Sequence, residues 1–397
     1  MRIALCSDIF LPHMGGIENV IKCLAEVYME MGHDVIIFTS TMNIKHIDDS
    51  IFTFKVVRTE SKTVIPGVHN TYPKKDKAFN KAFDEFKPDV VHSHTPFSIG
   101  MWGIEKAKEI GVPSVLTTHT YLSYMNDTQV PFSKNNPIHK AIVKSLNNQP
   151  RRASAEATVL TAVSNNTIRE EIRRAYGLER ETHLVRNGFD FKKNCQSAIE
   201  NYVNDHDKDA FRLFYAGQID RTKNIQFSLK VCKELKRRCI PFVFNLAGEV
   251  NKKFHLPFQK NDKEKYIIAI NKYGISDSVH FLGRLNFDGL QSNYSRSDAF
   301  LFPSIYDTDG LVVKEASMCG CPALTIKETG ASEQVDDGVN GFTLLNSVDA
   351  FADKIEELYN LKRDHFDEFI AMRSRTQAKK LPSWDEIAMQ YLALYQV

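Results

Sequence analysis

FPSIYDTDGLVVKEASMCGCPALTIKETGASEQVDDGVNG, Phe302 to Gly341, carries the densest pattern in the chain. It takes over from an apolar strand (AFLFPS) and runs through an acidic turn (Asp307, Asp309, Gly310) into a short helix from Leu311 to Cys319. A Gly-Cys-Pro break, a second strand from Ala323 to Ile326 and a Gly330-Ala331 turn follow. A strand that delivers its end to a glycine turn and a helix start leaves backbone N–H groups unpaired there, with the positive end of the helix dipole behind them. Such a place holds phosphate. Asp307 in the loop and Glu315 about one turn inside the helix can both face the hollow that the turn creates.

Upstream the same alternation repeats: strand Leu213 to Ala216, helix Asn224 to Lys236, and strands Phe242 to Ala247, Val279 to Leu282 and Ala299 to Pro303. A first series begins at Arg2 to Ile9, followed by the turn 11–16, a helix-spaced set (Ile17, Val20, Ile21, Leu24, Tyr28, Met31) and a strand from Asp34 to Thr39. It continues with strands Val90 to His92, Val115 to Thr118 and Val159 to Val163, separated by helical patterns such as Glu105 to Ile110 and Thr167 to Tyr176. Strands alternating with helices give a parallel sheet covered on both faces. The reading is α/β with two doubly wound, Rossmann-like halves and a ligand cleft at the carboxyl ends of both sheets. Residues 41–80 and 121–152 break the rhythm with polar residues and prolines (Pro131, Pro137, Pro150). They read as irregular loops, where acceptor specificity is expected. Lys192 to Asp209 reads as a linker with few core residues.

The length of 397 residues fits two domains of ordinary size, and 25% charged with 43% hydrophobic residues is normal for a folded chain. A net charge of +2 argues against nucleic acid as a partner. Seven cysteines without a C-x-x-C pair suggest neither a disulfide framework nor a zinc site, and a reducing cytosol is the expected location. Cys6, Cys23 and Cys232 read as small core residues. The N-terminal MRIALCSDIF lacks a basic leader and reads as a first strand, and no run is apolar and long enough to span a bilayer.

Several groups suit the chemistry of a phosphorylated ligand. The turn Gly217-Gln218-Ile219-Asp220-Arg221-Thr222-Lys223-Asn224 places two cations between a strand and a helix, where fixed charge stabilises a leaving diphosphate without reorganising. A solvated cap is the other reading of Lys223-Asn224. Gly15-Gly16 permits close backbone approach to a phosphate, or forms a simple tight turn. That pair lacks the G-x-G-x-x-G spacing and ribose-binding acid of a nicotinamide site. His92, His94 and His119 fall at the ends of buried strands, and His92-x-His94 lacks the third ligand a metal needs. A basic, partly apolar run, His139 to Lys144 with Arg151-Arg152, reads either as a solvated helix face or as a surface for anionic lipid.

The 302–341 segment resembles the E-x7-E signature of retaining glycosyltransferase family 4, with Glu315-Ala316, Gly320-Cys321-Pro322 and Gly330-Ala331 to Glu333 matching its later elements. Asp307 stands where the family has Glu, and Gln218 replaces the arginine of a Gly-Arg-x4-Lys pattern whose lysine is Lys223. The resemblance implies the GT-B fold, with an acceptor-side domain over 1–190, a final helix at 383–397 crossing back to it, and a nucleotide-sugar-binding domain over 191–382. Arg186 to Asp190 is similar to the Asn-Gly-x-Asp bridge between them. It also implies the roles. Lys223 and the backbone of Gly15 and Gly16 hold the diphosphate, with Arg221 a stand-in for the cation lost at Gln218. Asp307 and the backbone of Thr308, Asp309, Gly310 and Leu311 hold the hexose and its phosphate. Glu315 binds ribose hydroxyls, Gly283-Arg284 lies against the base, and His119 sits beside the transferred sugar. The reaction implied is a metal-independent, retaining hexosyl transfer from a nucleotide-diphosphate sugar, UDP favoured, to a hydroxyl acceptor such as a lipid or cell-envelope glycan, without a cofactor.

Asp307-x-Asp309 also looks like the metal motif of a different glycosyltransferase architecture, though hard cations need more oxygen ligands than it supplies. His94-Thr95-Pro96-Phe97-Ser98-Ile99-Gly100 resembles a stretch of bacterial diacylglycerol glycosyltransferases, which implies peripheral contact with the inner face of the plasma membrane. Two alternatives stand beside this reading: a sugar-nucleotide epimerase or hydrolase on the same fold, and a non-catalytic sugar-nucleotide binder.

Overall fold

Apolar runs too short for helices and bounded by turns become strands buried on both faces, and here they do so twice. The computed structural model describes residues 1–13, 15–44, 46–65, 68–124, 135–189, 197–205, 209–220, 222–249 and 262–397. The chain forms two compact units, Met1–Gly188 with Pro382–Val397, and Phe189–Leu381.

The first unit comprises β1 (Arg2–Cys6), α1 (Gly16–Glu30), β2 (Asp34–Ser40), β3 (Lys55–Thr59), a hairpin of β4 (Ser61–Ile65) and β5 (Val68–Thr71), α2 (Lys77–Phe86) and β6 (Val90–Ser93). It continues with α3 (Ser98–Ile110), β7 (Ser114–Thr118), α4 (Pro137–Glu156), β8 (Val159–Ala162) and β9 (His183–Leu184). Seven strands form one sheet in the order β3-β2-β1-β6-β7-β8-β9, every neighbouring pair parallel. After β1 the chain builds outward to β3, then returns to the other side of β1 as β6. The loops leaving β1 and β6 therefore splay apart at their carboxyl ends, the place where open α/β sheets bind ligands. The helix Trp384–Leu394 also belongs to this unit. Ser383 and Glu386 form its capping box, and Trp384, Ile387 and Tyr391 are buried with Tyr28 of α1 in one apolar cluster.

Two stretches read as loops are structured. Residues 41–80 supply the edge strand β3, the hairpin and the start of α2. Residues 137–156 form a 20-residue helix despite two prolines. Pro137 sits in the first turn, where its missing N–H costs nothing. Pro150 lies inside the helix, next to the buried Ala153 and Ser154, so packing overrides the local cost. The pattern expected from Thr167 to Tyr176 is mostly π-helix, over Ile168–Ala175.

The second unit runs α5 (Ala198–Asp205), β10 (Phe211–Ala216), α6 (Ile225–Arg237), β11 (Phe242–Ala247), α7 (Asp262–Tyr273), β12 (Val279–Gly283), α8 (Phe287–Arg296), β13 (Ala299–Phe302), α9 (Leu311–Met318), β14 (Ala323–Ile326), β15 (Gly341–Leu344), α10 (Val348–Asp364) and α11 (Phe366–Ala378). Its six parallel strands are ordered β12-β11-β10-β13-β14-β15, with the switch point between β10 and β13. The segment expected as a linker contains α5, whose Ala198 and Tyr202 are buried. Tyr202 hydroxyl donates to the fully buried Asp298, which Lys362 also pairs at 2.8 Å. Cys6 and Cys232 are buried as expected, whereas Cys23 is only partly covered. Among the described residues no helix is long and apolar enough to cross a membrane.

Candidate active site

In the second unit the loops after β10 and β13 flank the switch point and carry most of the candidates. Asp220 organises the first loop: its Oδ1 accepts the N–H groups of Thr222 (2.9 Å) and Lys223 (3.2 Å) and the Thr222 hydroxyl (2.5 Å). Asn224 follows in the left-handed region, φ 58°, which asparagine tolerates better than most residues. Its amide donates to the Pro303 carbonyl at 3.2 Å, and the Ser304 hydroxyl donates back to the Thr222 carbonyl at 3.4 Å. These bonds fasten the loops together and set Lys223 Nζ 2.5 Å from Asp307 Oδ2. The side chains of this pair are 21% and 15% exposed, so Lys223 is not a solvated cap. Its ammonium also lies 5.6 Å from the centre of the Phe302 ring.

Asp307 does a second job. Its Oδ1 accepts the N–H groups of Gly310 (2.5 Å) and Asp309 (3.3 Å), so the acid braces the loop it stands in. Burial would raise its carboxyl, but the Lys223 ammonium and the two N–H groups outweigh burial and hold it below the usual range. Gly310 precedes α9 with φ 69°, and no side chain caps the helix start at Leu311. A Cβ at Gly330 would run into the carbonyl oxygens of Asp307 and Thr308, which explains glycine there. Asp309 is 3% exposed. Its carboxylate pairs with the fully buried Lys314 at 3.1 Å and accepts from Gln334 at 3.0 Å. The two aspartates thus turn to different ammonium groups instead of converging on one ion.

Glu315, one turn into α9, accepts a hydrogen bond from the Tyr294 hydroxyl at 3.0 Å. Burial pushes its carboxyl up to about 7, against the opposing pull of that bond. The site therefore holds a carboxyl that changes charge near neutral pH. Gln218 is exposed, and its carbonyl accepts the Tyr215 hydroxyl at 2.6 Å. Gly283 and Arg284 stand at the end of β12, further along the same carboxyl edge, where the Gly283 carbonyl accepts from Gly248 at 2.8 Å. Arg221 and Asp190 lie outside the described residues.

In the first unit, Gly15 is the extended N-cap of α1 and Gly16 its first helical residue, with no side-chain cap. A side chain at Gly16 would meet nothing within 4 Å. Beneath the loop the buried Glu18 pairs with His13. The 94–100 stretch has a structural role, because Asp8 accepts the Thr95 hydroxyl (2.7 Å) and the N–H groups of Ile99 (2.9 Å) and Gly100 (3.4 Å), capping α3. His119, 8% exposed, follows β7, and its Nε2 lies 3.0 Å from His94 Nδ1. His92 engages the Tyr395 hydroxyl (2.6 Å) and Thr117 (2.7 Å). The His92 and His94 rings stack at 4.0 Å and do not converge on a metal. Burial drives all three imidazoles well below their ordinary value, His119 to about 3, so they are neutral.

Sequence reasoning passed over Tyr294, Lys314, Asp220 and Asp8. Only Asp220 carried a readable signal, an aspartate two residues before a threonine in a turn.

The chain matches the family model Glycosyltransferase Family 4 over residues 14–193 and Glycosyl transferases group 1 over 198–373. It is 25% identical to a D-inositol 3-phosphate glycosyltransferase of Pseudarthrobacter chlorophenolicus, over 87% of this chain and 82% of the relative. It is also 25% identical to an alpha-monoglucosyldiacylglycerol synthase of Acholeplasma laidlawii, over 90% and 86%. Among solved structures, Anabaena Alr3699/HepE in complex with UDP and glucose superposes with a TM-score of 0.70 at 17% identity, covering 100% of this chain and 99% of that one. Two Rossmann-like sheets, both family models and these relatives agree: the chain is a GT-B glycosyltransferase belonging to glycosyltransferase family 4.

Proposed function

We propose that the protein moves a hexose from a nucleoside-diphosphate sugar to a hydroxyl acceptor with retention of configuration, without a metal or cofactor. The observation that carries this reading is the Lys223–Asp307 ion pair beside the helix start at Leu311, whose N-cap Gly310 supplies no side-chain cap. It puts a cation and oriented N–H groups where negative charge would build on a departing diphosphate. In the proposed step the bond from sugar C1 to the phosphate oxygen breaks while the acceptor oxygen bonds C1 on the same face. The acceptor proton passes to the leaving phosphate. Lys223 exchanges its contact with Asp307 for the phosphate, and Glu315 accepts the ribose hydroxyls as a carboxylate. His119 meets the transferred sugar, while the Gly15-Gly16 backbone approaches the phosphates and Gly283-Arg284 the base.

UDP is the favoured nucleotide, supported by the UDP and glucose bound to Anabaena Alr3699/HepE. A lipid acceptor is supported by the name of the Acholeplasma laidlawii relative and by α4. On that helix Ile138 and Leu146 are 55% and 47% exposed, eight residues apart, with the exposed Lys140 and Lys144 on the opposite face. A helix with exposed apolar side chains on one face and lysines on the other suits peripheral contact with an anionic leaflet, at the cytosolic face. His139 is buried, and Arg151 and Arg152 are engaged by the Tyr176 carbonyl and by Glu156, so this surface rests on the lysines.

The test is thermal stabilisation by a panel of nucleotide sugars, followed by turnover with diacylglycerol vesicles and NMR of the anomeric product. A UDP-hexose is expected to stabilise the chain and yield an α-linked glycolipid from an α-linked donor. Inverted product would sink the retaining step. Donor consumption without acceptor would favour a hydrolase or epimerase, and binding without turnover a non-catalytic binder.

A further inference from the structure

Directly after β7 and His119 the chain turns, and Leu122 to Tyr124 are helical. The first N–H groups of a helical turn have no partner inside it, and here an acceptor comes from another part of the unit. Glu171, fully buried, accepts the Ser123 backbone N–H on Oε1 at 2.9 Å and the Ser123 hydroxyl on Oε2. Two residues earlier the Tyr121 hydroxyl accepts from the Asn166 amide at 2.7 Å. Both anchors stand in the segment after β8, the strand paired with β7. The turn that follows His119 is therefore fastened at two points.

Glu171 belongs to the π-helix Ile168–Ala175, and its carboxylate shows what that rare geometry achieves. The Tyr176 N–H donates to the Glu171 carbonyl at 3.0 Å, five residues back, and the Tyr176 hydroxyl donates to Glu171 Oε1 at 2.5 Å. In an α-helix the fifth residue on lies about 140° round the axis and faces another way. An i→i+5 ladder brings it over the first. Burial raises the Glu171 carboxyl, and the bonds from Ser123 and Tyr176 oppose that rise. The wider turn thus adds a donor that holds the buried acid in place while its other contacts reach out to Ser123.

We propose that Glu171 is a positioning residue for the acceptor: it fixes the turn 121–123 beside His119, and the π-helix serves to lock Tyr176 onto the same carboxylate. The acceptor oxygen must reach sugar C1 next to His119, so the backbone that leaves His119 borders its path. That effect rests on the glycosyl-transfer reading above; the anchoring of the turn does not.

Amide hydrogen exchange of the full chain, read by peptide, tests the anchor, and kinetics with UDP-glucose and diacylglycerol vesicles test its effect. The parent is expected to protect the 119–124 peptide. Glu171→Ala should speed exchange there about tenfold, with the second unit unchanged. It should also raise the KM for vesicle diacylglycerol about tenfold, the size expected from losing one bond of this kind, at unchanged donor KM. Glu171→Gln should restore both, because its carbonyl still accepts from the Ser123 N–H and Tyr176 while the Ser123 hydroxyl turns to accept from the amide. Tyr176→Phe should loosen the same peptide to a smaller degree. A parent whose 119–124 peptide exchanges like a free chain overturns the proposal even if no variant folds. So does exchange in Glu171→Ala that is unchanged there or raised evenly through the first unit. The expected exchange beside donor and acceptor KM that rise together, or that both stay fixed, overturns the acceptor role alone. A parent without turnover sinks the transfer reading and the acceptor role with it, and the exchange result still decides the anchor.

Discussion

The two units wind their sheets around the same kind of switch point and fill the carboxyl ends with opposite chemistry. In the first, the buried polar side chains around β6 and β7 are neutral: His92, His94 and His119, joined to Thr117, Thr161, Tyr391 and Tyr395 by hydrogen bonds of 2.6 to 3.2 Å. In the second they are charged: Lys223 with Asp307 and Lys314 with Asp309. A neutral network fixes geometry and creates little field, and removing one member strands a single polar atom. A buried ion pair creates a strong local field, and removing one member strands a charge. The half proposed to grip an anion is the half that keeps its cation paired while it waits.

This contrast can be broken most severely at Lys314. Lys314→Met is expected to destabilise the second unit by about 3–5 kcal/mol because Asp309 is left charged and buried. Adding Asp309→Leu should restore most of that loss, and denaturant titration of both variants reads the difference. Lys223→Ala ranks next. Loss of one such electrostatic group costs about 3 kcal/mol of transition-state stabilisation, on the order of a hundredfold in kcat, measured as sugar transfer at saturating donor. In the first unit, Tyr395→Phe deprives His92 and Tyr28 of a shared partner and should cost about 1–3 kcal/mol, with less dependence on salt than either charge variant.

The last comparison concerns pH. Glu315 titrates at about 7 in the folded chain against an ordinary 4.5, so the folded state holds the extra proton between those values. Stability attributable to this group therefore falls as pH rises from 4.5 to 7, is intact below that window and is fully lost above it. Glu315→Gln should flatten that part of a melting-temperature profile and be the more stable chain at pH 8. Donor affinity should move the other way in the parent, strengthening as the carboxylate forms, and a donor affinity indifferent to pH between 6 and 8 would count against Glu315 as the ribose ligand.

Strands such as Phe242–Ala247 and Ala323–Ile326 matched their reading to the residue, because a parallel strand buried on both faces leaves an unbroken apolar run. Lys223 and Asp307 were legible from turn spacing, since a loop after a strand can point only to the sheet end. Their bond to each other was not, for the partners are 84 residues apart and only the strand order β10-β13 brings them together. Lys314 reads as a surface lysine on any helical wheel, and its complete burial depends on an aspartate one turn back in an irregular loop. Pro150 gave a misleading signal for a similar reason: local rules price a proline by itself, while the covering of Ala153 and Ser154 decides. Hydrogen bonds between strands, as between His94 and His119, leave no trace in spacing at all.

The helix Trp384–Leu394 carries one more implication, for synthesis. Tyr28 and His92 meet Tyr395 across 367 and 303 positions of chain, so a ribosome has made the whole second half before the amino-terminal core receives its missing wall. Until then Val20, Leu24 and Tyr28 present an uncovered apolar strip to solvent, and a chaperone or a stalled, sticky nascent chain is the expected companion of that interval.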